Sequence, residues 1–178
     1  LFAVVVNRAD PECLPEIVDA ARESVSARFG SAHEIPVWAV PEDRFLVAPS
    51  MRGILRSVDG TLLKGDPELM TREALSVVVA GMSMVNVLPR LLESSVVVIA
   101  ADRTEVLLAT LLANASGTFP SISGIVLNGG FALPAEIDRL IDGLGSNLPI
   151  ISTQLGTYDT AVRVMNTRGR LAADSQRR

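Results

Sequence analysis

The strongest constraint on the fold is a repeated alternation of strand-like and helix-like segments from about residue 74 onward. Four apolar runs rich in β-branched residues are each followed by a stretch whose apolar residues recur at helical spacing. The runs cover residues 74–80, 96–101, 122–127 and 148–152. Parallel strands need crossover helices between them, so this order is typical of α/β domains. It predicts an α/β, three-layer fold in which a mostly parallel sheet is flanked by helices.

The first part of the chain predicts a smaller β-α-β unit. Residues 2–6 have no polar alternation and indicate a buried strand. Asp10 followed by Pro11 is typical of a helix start, because the carboxylate accepts from free backbone N–H groups and proline suits the first helical position. Residues 35–40 predict a second strand, which should be parallel to the first.

The rhythm of strands and helices breaks near residues 41–48, and we expect a domain boundary there. Residues 1–43 then form one piece, residues 44–168 form the main domain, and residues 169–178 form a basic tail or linker. The chain already begins in a core-like strand. We therefore expect it to be a fragment of a longer protein.

Composition excludes several classes of protein. Hydrophobic residues make up 48% of the 178, which supplies a large core. The formal net charge of −4 argues against nucleic acid as a partner, since phosphate neutralisation needs a basic face. The apolar runs are too short to cross a membrane, which takes about 20 residues. The single Cys13 suits a reducing cytoplasm.

No catalytic or cofactor motif can be recognised. Among the 16 Lys and Arg residues only Lys64 is a lysine, and Gly65 follows it, so a Walker A loop is missing. One Cys and one His, His33, do not make a zinc site. Nothing in the pattern assembles a nucleophile, a base and an orienting group. We expect an inactive fragment that carries neither metal nor cofactor.

Polar and glycine residues follow the predicted strands, where ligands of open α/β sheets bind. Ser83, Asp102 and Thr157 are candidate helix caps, so three helix N-termini would face one edge and favour an anion. Arg103 offers a bidentate fork for phosphate or carboxylate, and two glycines allow close backbone approach. The candidate anion-facing edge comprises Ser83, Asp102, Arg103, Thr104, Asn128, Gly129, Gly130 and Thr157.

A purely structural interpretation of the same residues stays open. Asp102 and Glu105 have nearly the spacing of a capping box, which would tie off the helix that follows. Arg103 could pair with Asp102 or with another neighbouring carboxylate. Gly129 and Gly130 could simply turn the chain.

Several motifs together resemble the DRTGG domain family, named for Asp-Arg-Thr-Gly-Gly. The resemblance is carried by residues 101–104 (ADRT), 124–130 (GIVLNGG), 79–83 (VAGMS) and 157–161 (TYDTA). Upstream, residues 5–10 (VVNRAD) and 37–43 (VWAVPED) look like the closing β-α-β of a dethiobiotin-synthetase-like P-loop domain. This order of domains is similar to that of the long bacterial phosphate acetyltransferases.

The resemblance implies a role in regulation and assembly rather than catalysis. In such enzymes the transfer of acetyl between coenzyme A and phosphate belongs to a C-terminal domain that this chain lacks. It implies a homo-oligomer and a small-metabolite effector, and the single Cys13 predicts a cytoplasmic location. The alternative is a nucleotide- or carboxylate-sensing DRTGG module of another multidomain protein.

Overall fold

The computed structural model describes residues 2–30, 35–43 and 47–167. The chain divides into two compact units, Leu1–Val47 and Ala48–Arg178. His33 and the basic segment 169–178 lie outside the described residues.

The first unit is a β-α-β arrangement. Strand β1 (Val4–Ala9) and strand β2 (Val37–Pro41) are parallel, as predicted, and helix α1 (Leu14–Phe29) connects them. A short 3-10 helix, Pro11–Cys13, precedes α1. The carboxylate of Asp10 accepts from the backbone N–H of Glu12 at 3.0 Å, so the predicted cap is present.

The prediction that residues 2–6 form a buried strand is wrong. The strand begins at Val4, Phe2 is 99% exposed and Val5 is 57% exposed. The sheet of this unit has two strands and packs with one helix, which is too little surface to bury both faces of the sheet.

The second unit contains the predicted alternation of strands and helices. Its elements are α2 (Met51–Ser57), β3 (Thr61–Lys64), a 3-10 helix (Pro67–Thr71), β4 (Ser76–Val79), α3 (Met84–Val87), a 3-10 helix (Leu88–Arg90), β5 (Ser95–Ala100), α4 (Thr104–Ser116), β6 (Gly124–Asn128), α5 (Ala135–Gly143), β7 (Ile150–Ser152) and α6 (Thr157–Asn166). The strand order is β3-β7-β6-β5-β4. Strand β3 is antiparallel to β7 and all other pairs are parallel, which confirms a mostly parallel sheet.

Two cores, one on each face of this sheet, make the fold three-layered. Strand β5 shows why, because successive side chains of a strand point to opposite faces. Val97 and Ile99 pack in one core with residues of α4 and α5. Val96 and Val98 pack in the other core with residues of α2 and α6. The first core thus lies under α3, α4 and α5, and the second lies under α2 and α6.

Helix starts differ from the predicted caps in two places. Helix α4 has Arg103 as its N-cap residue and no side-chain cap, so the prediction that Asp102 caps it is wrong. Helix α6 has Gly156 as its N-cap, and Thr157 is its first helical residue instead. Ser83 does occupy the N-cap position of α3. Pro89 shortens that helix, as expected from its missing N–H.

No helix within the described residues is long and apolar enough to cross a bilayer.

Candidate functional site

The carboxyl ends of β4, β5, β6 and β7 lie along one edge of the sheet, because these strands are parallel. All eight predicted residues end these strands or follow them: Ser83, Asp102, Arg103, Thr104, Asn128, Gly129, Gly130 and Thr157. The sheet topology therefore places them on a common edge, although their local surroundings differ.

The guanidinium of Arg103 is held by its own chain. Its Nε donates to Oε1 of Glu105 at 2.7 Å, and its Nη2 donates to the carbonyl of Met82 at 3.1 Å. The first contact is an ion pair, and the second ties the segment after β4 to the start of α4. Of the interpretations left open by the sequence, pairing with a neighbouring carboxylate is the one observed.

The carboxylate of Glu105 occupies the start of α4. The hydrogen bond from Arg103 is the main cause that lowers the pKa of Glu105, and backbone N–H groups of Glu105 and Val106 act in the same direction. A side-chain anion is therefore already present where the helix N-terminus favours negative charge. Asp102 lies exposed in the turn before this helix, and Thr104 is half-buried as its first residue.

Gly129 and Gly130 join the loop after β6 to the loop after β7. Gly129 N–H donates to the carbonyl of Leu155 at 2.8 Å, and Gly130 N–H donates to that of Thr153 at 3.1 Å. Both glycines have positive φ, 91° and 71°. A Cβ on Gly130 would also collide with the side-chain amide of Gln154. Left-handed backbone and close approach both favour glycine here.

Asn128 ends β6 beneath the start of α6. Asn128 is 1% exposed, and the hydroxyl of Thr157 lies 3.3 Å from its Oδ1. Its Nδ2 is buried and has no hydrogen-bond partner among the described residues. Buried amide groups almost always have a partner, so this atom calls for an explanation.

The segment after β4 is apolar and exposed. Ser83 accepts a hydrogen bond from the side chain of Asn86 at 3.2 Å rather than capping α3 through its hydroxyl. Around it Val79 is 41% exposed, Met84 is 44% exposed and Val85 is 69% exposed. Ser83 therefore lies on a largely apolar part of the edge.

Three participants at this edge were not predicted as site residues. The carbonyl of Met82 carries no sequence signal, because a backbone group depends on the fold alone. Gln154 is placed by the contact of two loops, which no local pattern encodes. Glu105 was visible in the near-capping spacing, but its actual partner is Arg103.

Within the described ranges, no cluster of three His, Cys, Asp or Glu side chains could hold a metal ion. Arg163 of α6 donates to Asp59 at 2.7 Å and to the carbonyl of Ser57 at 3.1 Å. It therefore ties α6 to the end of α2.

The sequence model of the DRTGG domain family matches residues 53–167 of this chain. This chain belongs to the DRTGG domain family. The match lies within the second compact unit, the one that carries the edge described above.

The chain is also similar to phosphate acetyltransferases. It is 28% identical to the one from Nitratidesulfovibrio vulgaris, over 100% of this chain and 25% of that protein. It is 28% identical to the phosphate acetyltransferase from Pseudomonas putida, over 100% of this chain and 25% of that protein. It is 25% identical to the one from Escherichia coli, over 97% of this chain and 24% of that protein. The chain thus spans about a quarter of the length of these relatives.

Among solved structures it is similar to the CBS and DRTGG domains of the regulatory region of Clostridium perfringens pyrophosphatase, complexed with the activator diadenosine tetraphosphate. The TM-score is 0.48 at 15% identity, covering 84% of this chain and 57% of that one.

Proposed function

We propose that this chain is the regulatory and assembly region of a phosphate acetyltransferase. The observation that carries the proposal is the length of the alignments. Nearly all of this chain aligns with about a quarter of each of several phosphate acetyltransferases. In this account the parent protein interconverts acetyl-CoA and phosphate with acetyl phosphate and CoA. The catalytic domain lies elsewhere on the same polypeptide.

The edge of the sheet supports sensing better than catalysis. Arg103, the cation predicted to face a ligand, is bonded to Glu105 and Met82. The titratable group with a shifted pKa at this edge is Glu105, whose pKa is lowered by that arginine. A carboxylate kept ionised by an ion pair is a poor general acid or base near neutral pH. Because Arg103 is already neutralised by Glu105, we propose that the edge binds a small anionic effector through donors other than this guanidinium.

Assembly is the second part of the proposed role. Exposed apolar side chains around the end of β4, notably Val79, Met84 and Val85, offer a surface on which another domain or another copy could be buried. We propose a homo-oligomer in the cytoplasm, a location that the single Cys13 suits.

The proposal is tested by assaying the 178-residue chain for acetyl phosphate formation from acetyl-CoA and phosphate. We expect no turnover by the chain alone, and measurable turnover would contradict the assignment. Thermal shift measurements with ATP, NADH, pyruvate and acetyl-CoA then test sensing. Stabilisation by at least one of them supports an effector site, and a flat response to all four would reduce the role to assembly.

A further inference from the structure

The connections of β6 and β7 leave the sheet toward opposite faces. Helices α4 and α5, which follow β5 and β6, contribute Leu107 and Ile141 to the first core. Helix α6, which follows β7, contributes Val164 to the second core. In open α/β sheets ligands bind at the carboxyl edge where neighbouring connections diverge in this way. In this sheet that position lies between β6 and β7.

Asn128 stands at this position and faces α6. It shares a face of β6 with Val126, which belongs to the second core, because the two residues are two apart in a strand. The hydroxyl of Thr157, the first residue of α6, lies 3.3 Å from Asn128 Oδ1. The Oδ1 end of the amide therefore faces the start of that helix, and the adjacent Nδ2 is buried and has no partner among the described residues.

The start of α6 is itself unsatisfied. Gly156, the N-cap residue, has no side chain to accept from the first turn. Within the described part of the chain, the first N–H of this helix with an acceptor is that of Thr160, bonded to the carbonyl of Gly156 at 3.0 Å. Among the described residues, the N–H groups of Thr157, Tyr158 and Asp159 thus have no acceptor, and they carry the partial positive charge of a helix N-terminus. Asp159, in the same turn, is exposed.

Helix α4 provides an internal comparison. At its start the carboxylate of Glu105 fills the anion position, in contact with backbone N–H groups and with Arg103. At the start of α6 the acidic residue of the first turn, Asp159, is exposed, and no side chain caps the helix among the described residues. The first turn of α4 therefore has a carboxylate that accepts from its N–H groups, whereas the first turn of α6 has a buried amide beside it and no side-chain acceptor.

We propose that the start of α6 and the amide of Asn128 together bind the phosphoryl group of a small metabolite. Thr157 and Tyr158 donate through their backbone N–H groups, and Asn128, whose Oδ1 accepts from the Thr157 hydroxyl, supplies the innermost donor through Nδ2. A phosphoryl group presents three terminal oxygens to these three donors, whereas a carboxylate has two oxygens. The proposal deepens the effector-binding role proposed above and rests on it for the ligand's regulatory meaning.

The test is a ¹H–¹⁵N NMR titration of the 178-residue chain with inorganic phosphate, with acetate and chloride at matched ionic strength. We expect saturable shifts of the backbone amides of Thr157 and Tyr158 and of the side-chain amide of Asn128 with phosphate. Acetate should need at least about tenfold higher concentration. Saturation by acetate alone would overturn the phosphoryl assignment, and the absence of any saturable shift at these amides would overturn the site.

Variants make the test independent of folding. Gly156→Asp places a carboxylate at the N-cap, where an added Cβ meets nothing within 4 Å, and should block phosphate by occupying the same N–H groups. Asn128→Leu removes the inner donor. Each should weaken phosphate binding at least about tenfold. Gly143→Asp adds the same carboxylate in α5, where an added Cβ also meets nothing within 4 Å, and should leave phosphate binding unchanged. Equal loss in Gly143→Asp, or full binding by Gly156→Asp, would contradict the proposal.

The two proposals fail in different ways. Phosphate binding that depends on Asn128 without any regulation of the parent enzyme would contradict the proposed function alone. Regulation that persists in the Asn128→Leu and Gly156→Asp variants would contradict the phosphoryl site alone.

Discussion

Replacing Asn128 by leucine should leave the fold at least as stable as the wild type while removing the proposed ligand contact. The side chain is 1% exposed, and its Nδ2 has no partner among the described residues. An unsatisfied buried donor costs about 1–3 kcal/mol. The contact with Thr157, at 3.3 Å, is long for a hydroxyl hydrogen bond, so its loss costs roughly 0.5 kcal/mol.

The balance of these effects sets the expected magnitude. Leucine has a branched end of similar shape, and replacing a buried polar group by an apolar group of the same shape can be nearly neutral or stabilising. The net change in unfolding free energy is therefore expected between roughly neutral and about 1 kcal/mol in favour of the variant. A gain of 1 kcal/mol raises the Tm by about 4 °C in a domain of this size.

Asn114→Leu is the matched control. Asn114 Oδ1 accepts from the backbone N–H of Ile122 at 3.1 Å, and Ile122 is 1% exposed. Removing that acceptor leaves a buried N–H unsatisfied, so this variant should lose about 1–3 kcal/mol. Urea unfolding followed by circular dichroism measures both variants. A loss of more than about 2 kcal/mol in Asn128→Leu would refute the reasoning, since it would show that the amide is already satisfied.

Three further predictions concern the same edge and the packing beside it. Glu105→Gln should lower the free energy of unfolding by less than about 1 kcal/mol at neutral pH, because the ion pair with Arg103 is exposed. The pKa of Glu105 is lowered in the folded protein, so the advantage of the wild type is present above the ordinary pKa of 4.5 and is lost as the pH falls through the lowered pKa. Urea unfolding at several pH values measures this dependence. Gly130→Ala should cost about 1–2 kcal/mol because φ is 71°, whereas Gly143→Ala in α5, with open space around the new Cβ, should be neutral or stabilising; equal effects would contradict the assigned backbone. Lys64→Met should lower the urea midpoint, because Lys64 Nζ lies 2.9 Å from Asp138 and 2.7 Å from Asp142 and links β3 to α5; an unchanged midpoint would show that these ion pairs contribute nothing.

The main features of the second unit could be predicted from sequence because they depend on local patterns. The continuous β-branched run of residues 96–101 needs two covered faces, and it forms the central strand β5 with a core on each side. Pro89 shortened its helix for a local reason, its missing N–H. Asp10 capped its helix as its side-chain chemistry favours.

The errors arose where tertiary contacts decide. Asp102 has the chemistry of a cap, but Glu105 and Arg103 pair across the start of α4, and the helix begins one residue later than that cap requires. Phe2 and Val5 look like core residues, yet their burial depends on how many strands and helices surround them. The unsatisfied amide of Asn128 follows from the meeting of β6 with α6, which are distant in sequence.

The most direct test of the central claim uses the intact parent polypeptide. Its rate of acetyl phosphate formation is measured against the concentration of each candidate effector, before and after deletion of the region corresponding to residues 1–167. The account predicts that the shortened enzyme still turns over but no longer responds to the effector. A shortened enzyme that keeps the full effector response would contradict the claim that this region is regulatory.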